Sequence, residues 1–171
     1  MATTYSNTKI ETFNTCQQKY KFQYIEKVSV EKPVGVETFL GNAVHKALEK
    51  LYTFKMNGRI QPQEEVLDSY RKYWEGADRD KIKVTRDSLG IDDYIKVGVD
   101  ALTKYYQLYT PFNDGISLAL EKSIDFPLRE DNRFRIKAKI DRINRRDDGT
   151  IEIIDYKTNA VLPTQQLIDD N

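Results

Sequence analysis

Apolar residues recur along this chain at two different spacings. In residues 37–56, Leu40, Val44, Ala47, Leu48 and Leu51 fall on one side of a 3.6-residue repeat, which predicts an amphipathic helix. Residues 63–74 and 92–109 read as two further helices, with Tyr94, Val97, Leu102, Tyr105, Tyr106 and Tyr109 assigned mostly to a core. Ser6 or Asn7 can cap a first helix running to about Tyr24, in which Ile10, Phe13, Phe22 and Ile25 mix with Lys9, Lys19 and Lys21. The charged stretch 76–91, punctuated by Gly76 and Gly90, reads as a loop. After residue 112 the pattern changes. Residues 116–128 form a strand ended by Pro127 and the polar run Arg129-Glu130-Asp131-Asn132. Two short β-branched runs follow, carrying Ile136, Ile140 and Ile143, then Ile151, Ile153 and Ile154. The expectation is one α+β domain over residues 1–171: N-terminal helices (1–112) packed on a small mixed sheet with a hairpin (113–171).

Between the last two runs lies Arg146-Asp147-Asp148-Gly149-Thr150. Asp and Gly here fit a three-residue hairpin loop, with Gly149 left-handed. If Arg146 and Thr150 close the loop, counting back along both strands puts Asp141 directly across from Asp155. Opposed side chains sit about 4.5–5.5 Å apart at Cβ, so two carboxylates there can share a cation. Side chains alternate with period two, so Asp155 and Lys157 point the same way. Hard oxygen ligands favour Mg²⁺ or Mn²⁺. The same register sets Lys139 against Lys157, an unfavourable like-charge pair. Asp-x-Lys is common and weak, and taken by itself it is better explained by an ordinary exposed hairpin with its polar residues outward.

Composition adds exclusions. Lys+Arg and Asp+Glu balance at 27 each, so contact with a nucleic acid must come from local patches. Arg133, Arg135, Lys137, Lys139, Arg142, Arg145 and Arg146 give one such patch, read either as a solvated strand face or as a track for phosphates. On the first helix, Lys19 with Tyr20 and Tyr24 offers a cation and stacking rings, although aromatics turned toward a core explain the same residues. A single cysteine, Cys16, excludes an internal disulfide and suits a reducing cytoplasm. No apolar run reaches membrane-spanning length, so no membrane partner is expected.

Three segments together resemble the RecB-like branch of the PD-(D/E)XK nucleases. Tyr5-Ser6-Asn7-Thr8-Lys9-Ile10, continuing through Phe13 and Cys16-Gln17-Gln18-Lys19-Tyr20, is similar to that branch's opening helix, with Thr8 in place of its second Ser and Gln17 in place of its Pro. Gly41-Asn42-Ala43-Val44-His45 is similar to its Gly-x-x-x-His helix. Ala138-Lys139-Ile140-Asp141-Arg142 and Asp155-Tyr156-Lys157-Thr158 resemble its Gly-x-Ile-Asp-Arg and Asp-Tyr-Lys-Thr hairpin, with Ala138 replacing the Gly. The resemblance implies a restriction-endonuclease-like core that hydrolyses DNA phosphodiesters with a divalent metal. Asp141 and Asp155 match the metal-binding aspartates and Lys157 the catalytic lysine. His45 matches a further ligand, the Tyr156 backbone carbonyl is expected to face the metal, and Glu121 resembles a supporting acidic position. Lys19, Tyr20 and Arg142 are the expected DNA contacts. The implied setting is exonuclease work in repair or recombination, with a helicase subunit as a candidate partner.

Two departures accompany the match. The branch carries Gln-x-x-x-Tyr on a helix after Asp-x-Lys. Here Gln165 and Gln166 are followed four residues on by Asp169 and Asp170, so the chain reads as cut short at Asn171. Some members also hold an iron–sulfur cluster with one early and three late cysteines, and Cys16 alone cannot form one. The rival expectations are a noncatalytic DNA-binding or scaffolding domain and a hydrolase of another phosphate ester.

Overall fold

The structure, a computed structural model, describes residues 3–29, 33–85, 89–130 and 133–158. Gln165, Gln166, Asp169 and Asp170 lie outside the described residues. The class is α+β, as expected, and the chain divides into two compact units. The first comprises Met1–Pro33 and Asp114–Asp155; the second comprises Val34–Asn113 and Tyr156–Asn171. Among the described residues no helix is long and apolar enough to cross a membrane.

In the first unit, β1 (Thr3–Tyr5) leads into α1 (Asn7–Thr15). The Ser6 hydroxyl accepts the Lys9 N–H and caps this helix, as its position predicted. The helix does not run on to Tyr24. Cys16 is extended (φ −157°, ψ 103°) and closes α1 before α2 (Gln17–Tyr20) and a π-turn over Lys21–Ile25. The reason is positional: Cys16 is the N-cap of α2, its Sγ accepting the Lys19 N–H, and Gln17 takes the first helical position. That position is where helices favour proline, whose ring also pushes the preceding residue out of the helical region.

The sheet is built on β5 (Phe134–Arg145). Strand β4 (Ile116–Pro127) pairs antiparallel along one edge of it, from Ile116–Arg145 to Pro127–Arg135. The other edge is shared. Strand β1 pairs in parallel with residues 134–136, and β6 (Ile151–Ile154) pairs antiparallel with residues 142–145. The sheet is therefore mixed, and the two ladders on that edge leave residues 137–141 between them. Arg146 N–H donates to the Thr150 carbonyl at 2.9 Å, and Gly149 is left-handed (φ 86°), so the hairpin closes where its turn residues predicted.

The second unit holds the apolar core. Helix α3 (Val36–Met56) buries Val36, Leu40, Ala43, Val44, Ala47, Leu48, Leu51 and Tyr52, at helical spacing. Helix α4 (Gln63–Glu75) adds Val66, Leu67, Tyr70 and Trp74. Helix α5 (Ile91–Tyr109) contributes Tyr94 and Leu102, and its Asp93 carboxylate accepts the Gly90 N–H to fix the start. Val97 and Tyr109, expected in the core, are exposed, because the buried face of α5 runs through Tyr94, Gly98 and Leu102. Gly98 is where α5 meets its neighbours. A Cβ there would overlap the Tyr70 hydroxyl and lie 2.8 Å from Leu40 Cδ1. The expected loop 76–91 contains a 3₁₀ turn, Arg79–Lys81, and β3 (Ile82–Lys83), which pairs in parallel with β2 (Val34–Gly35).

Candidate functional site

The expected site residues divide between the units. Glu121, Asp141 and Asp155 belong to the first; His45, Tyr156 and Lys157 belong to the second.

In the first unit the hairpin ladder runs Arg145–Ile151, Asn144–Glu152, Ile143–Ile153 and Arg142–Ile154. This is the register that opposes Asp141 to Asp155 one step further on. Strand β6 stops at Ile154, however, so Asp155 follows immediately past the ladder, where it is exposed. The pairing of Lys139 with Lys157 does not arise in the ladder. Lys139 instead pairs with Ser123 of β4, and its ammonium forms an ion pair with the Glu121 carboxylate.

Glu121 sits beside Asp141 across the β4–β5 ladder, between the pairs Leu120–Arg142 and Lys122–Ile140. A carboxylate oxygen of each lies within 4.8 Å of the other. Oxygens on opposite sides of a Mg²⁺ ion are about 4.2 Å apart, so the separation is of the right order for one cation. Glu121 is also left-handed (φ 49°) inside a strand, a conformation costing about 1–3 kcal/mol for a residue with a Cβ. Nothing in the sequence around Glu121 signals this twist. It aims an acidic side chain, and strain of this kind gathers at functional positions.

The opposite face of β5 carries a polar network that residue spacing alone does not announce. The Arg142 guanidinium, 1% exposed, donates to Asp114 Oδ2 at 3.0 Å. The Asn144 amide donates to the Asp114 carbonyl at 2.6 Å and to Glu152 Oε2 at 3.2 Å. Arg146 pairs with Glu152 at 2.5 Å and holds that carboxyl below its ordinary pKa, with Asn144 adding to the effect. Arg142 therefore cannot serve as the expected surface contact to DNA: it is buried and ties the start of β4 to β5. The one signal available was the alternation Arg142-Ile143-Asn144, which places two long polar groups on one strand face.

The proposed phosphate track is partly neutralised as well. Arg135 pairs with Asp125 at 2.7 Å, Lys139 with Glu121, and Arg146 with Glu152. Lys19 is exposed, as a DNA contact requires. Tyr20 is half-buried, with its ring edge-on to Phe13 (5.2 Å) and tilted against Tyr24 (5.2 Å).

In the second unit, α3 places His45 off its buried stripe, and the His45 Nε2–H donates to the Tyr156 carbonyl at 2.8 Å. The imidazole also stands edge-on to the Tyr156 ring (5.8 Å), which in turn stands edge-on to Tyr105 (5.8 Å). One turn before His45, Gly41 faces Thr158: a Cβ there would lie 3.6 Å from the Thr158 Oγ1, an ordinary contact. The Gly-x-x-x-His motif thus borders the Tyr-Lys-Thr segment along one side of α3. Lys157 is exposed.

The family model described as PD-(D/E)XK nuclease superfamily matches residues 4–170. No curated protein matches the chain.

Proposed function

The chain belongs to the PD-(D/E)XK nuclease superfamily, and on that premise we propose that it is a RecB-like exonuclease acting on DNA ends or single strands in repair or recombination. The superfamily implies a metal-dependent nuclease; the branch and the exonuclease mode rest on the order and spacing of the three motifs. The observation that carries the reading is the span of the match: residues 4–170 take in parts of both units, which supports treating them as one nuclease domain. A helicase subunit is the corresponding partner, and the lone cysteine suits a cytoplasmic setting.

In this reading Asp141 and Asp155 hold Mg²⁺ or Mn²⁺, His45 and the Tyr156 carbonyl are further ligands, and Glu121 supports them. When bound, such a cation activates water and neutralises phosphate charge. Lys157 orients the attacking water or balances the charge that grows on the phosphoryl oxygens as the P–O bond breaks. Lys19 and Tyr20 contact the strand.

Thermal unfolding with and without Mn²⁺ tests the site. At about one hundred times its dissociation constant the cation should stabilise the parent by about 2.7 kcal/mol. Asp141→Asn should lose that response and keep the cation-free melting temperature. A variant that responds like the parent would place the cation elsewhere. A second reading, a noncatalytic DNA-binding or scaffolding domain, draws on the Lys139–Glu121 ion pair, which neutralises one acid without a cation. Binding of a labelled single strand without cleavage in Mn²⁺ or Mg²⁺ would favour it.

A further inference from the structure

Within the first unit, Tyr5, Lys9, Ile10, Phe13 and Tyr20 line a pocket of about 250 Å³ formed by β1, α1 and α2. Its chemistry is unusual for a surface hollow. The Lys9 ammonium is pinned: it donates to the Thr4 carbonyl at 3.0 Å and lies 4.8, 5.9 and 5.7 Å from the ring centres of Tyr5, Tyr20 and Tyr24. Phe13 is braced edge-on by Tyr20 and is still 45% exposed; Ile10 beside it is 40% exposed. The pocket therefore offers an apolar aromatic wall open to solvent and one fixed positive charge. Its volume is below the roughly 300–1,000 Å³ typical of sites for larger organic ligands, which limits the occupant to one planar ring system.

We propose that this pocket receives a single unpaired nucleobase of the DNA strand, stacked on Phe13 with Tyr20 bracing that ring edge-on, and with the adjoining phosphate paired to Lys9. The proposal rests on the nuclease reading above and deepens it, since it assigns single-stranded DNA as the substrate class. Stacking fits because every base has a π-face, so the site reads strandedness and not sequence. A duplex hides its bases in the stack and cannot fill the pocket without losing one. The pinned ammonium fits because a phosphate partner held in place loses little freedom on binding. The break at Cys16 lets Tyr20 on α2 return to the ring of Phe13 on α1 and so shapes this wall.

The test uses the whole chain in Ca²⁺, with two probes of equal length: a short oligothymidylate and the same backbone carrying abasic sites. Phe13→Ala should weaken oligothymidylate binding about tenfold and leave abasic binding unchanged. Phe13→Trp should bind the oligothymidylate like the parent and show indole fluorescence quenching with it but not with the abasic strand. This second variant keeps the aromatic wall, so it gives an answer even if Phe13→Ala does not fold. Equal loss on both probes, no loss on either, or an unquenched indole would overturn the pocket assignment while DNA cleavage by the parent leaves the nuclease reading standing. A parent that neither binds nor cleaves DNA would overturn both.

Discussion

The imidazole of His45 donates its Nε2–H to the backbone carbonyl of Tyr156 at 2.8 Å, joining two residues 111 positions apart. It ties the middle of α3 to the segment between Asp155 and Lys157. A part-buried hydrogen bond of this kind contributes about 1 kcal/mol. His45→Ala should therefore lower stability by about 1–2 kcal/mol, and in the proposed site it should also weaken the stabilisation by Mn²⁺. Titration calorimetry with Mn²⁺ separates the two roles. Loss of stability with unchanged Mn²⁺ affinity would make His45 a positioning residue for Tyr156 and remove it from the ligand set.

Lys157→Ala should slow cleavage by about 10²–10³ and leave metal and DNA affinity intact, because its assigned work concerns charge that develops only in the transition state. Single-turnover cleavage of a labelled single strand in Mn²⁺ gives the rate, and anisotropy in Ca²⁺ gives the affinity. Normal turnover with weakened binding would recast Lys157 as a phosphate anchor.

Glu121 offers a test that does not depend on activity. Glycine usually weakens a strand relative to alanine, but the left-handed backbone at position 121 reverses the order. Glu121→Gly should be more stable than Glu121→Ala by about 1 kcal/mol in urea unfolding, since only glycine takes this conformation without strain. Equal midpoints, or a more stable alanine variant, would mean that the strand is not held in this twist.

Tyr70 is fully buried against Gly98, with its hydroxyl donating to the Ile95 carbonyl at 3.2 Å. Burial pushes its pKa from 10.0 up to about 12. The folded state therefore keeps the proton more tightly than the unfolded chain. The associated stability is fully present below pH 10 and is lost as the pH rises toward about 12. The parent should lose about 2 kcal/mol more than Tyr70→Phe across that interval. Denaturant midpoints for both proteins at pH 9 and above would show it; parallel curves would refute it.

The features legible in the sequence are those set by near neighbours. The hairpin closes at Arg146 and Thr150 because Asp148 and Gly149 supply the turn locally, with the Thr150 N–H holding the Asp148 carboxyl below its usual range. The α3 stripe and the Ser6 cap follow from spacing and from one side chain's reach. What tertiary structure decided involves partners distant in sequence, or backbone states that residue type does not announce. Arg142 looks like any strand arginine until Asp114, 28 residues earlier, takes its guanidinium into the interior. Val97 and Leu102 are equally apolar on paper, and the approach of α5 through Gly98 onto Tyr70 and Leu40 determines that only Leu102 is buried. The left-handed turn at Glu121 lies within a strand-like run, and the bond from His45 to Tyr156 needs the chain to return after 111 residues. Local chemistry chooses elements and their ends; only packing settles which polar groups are drawn inside and which acids are brought together.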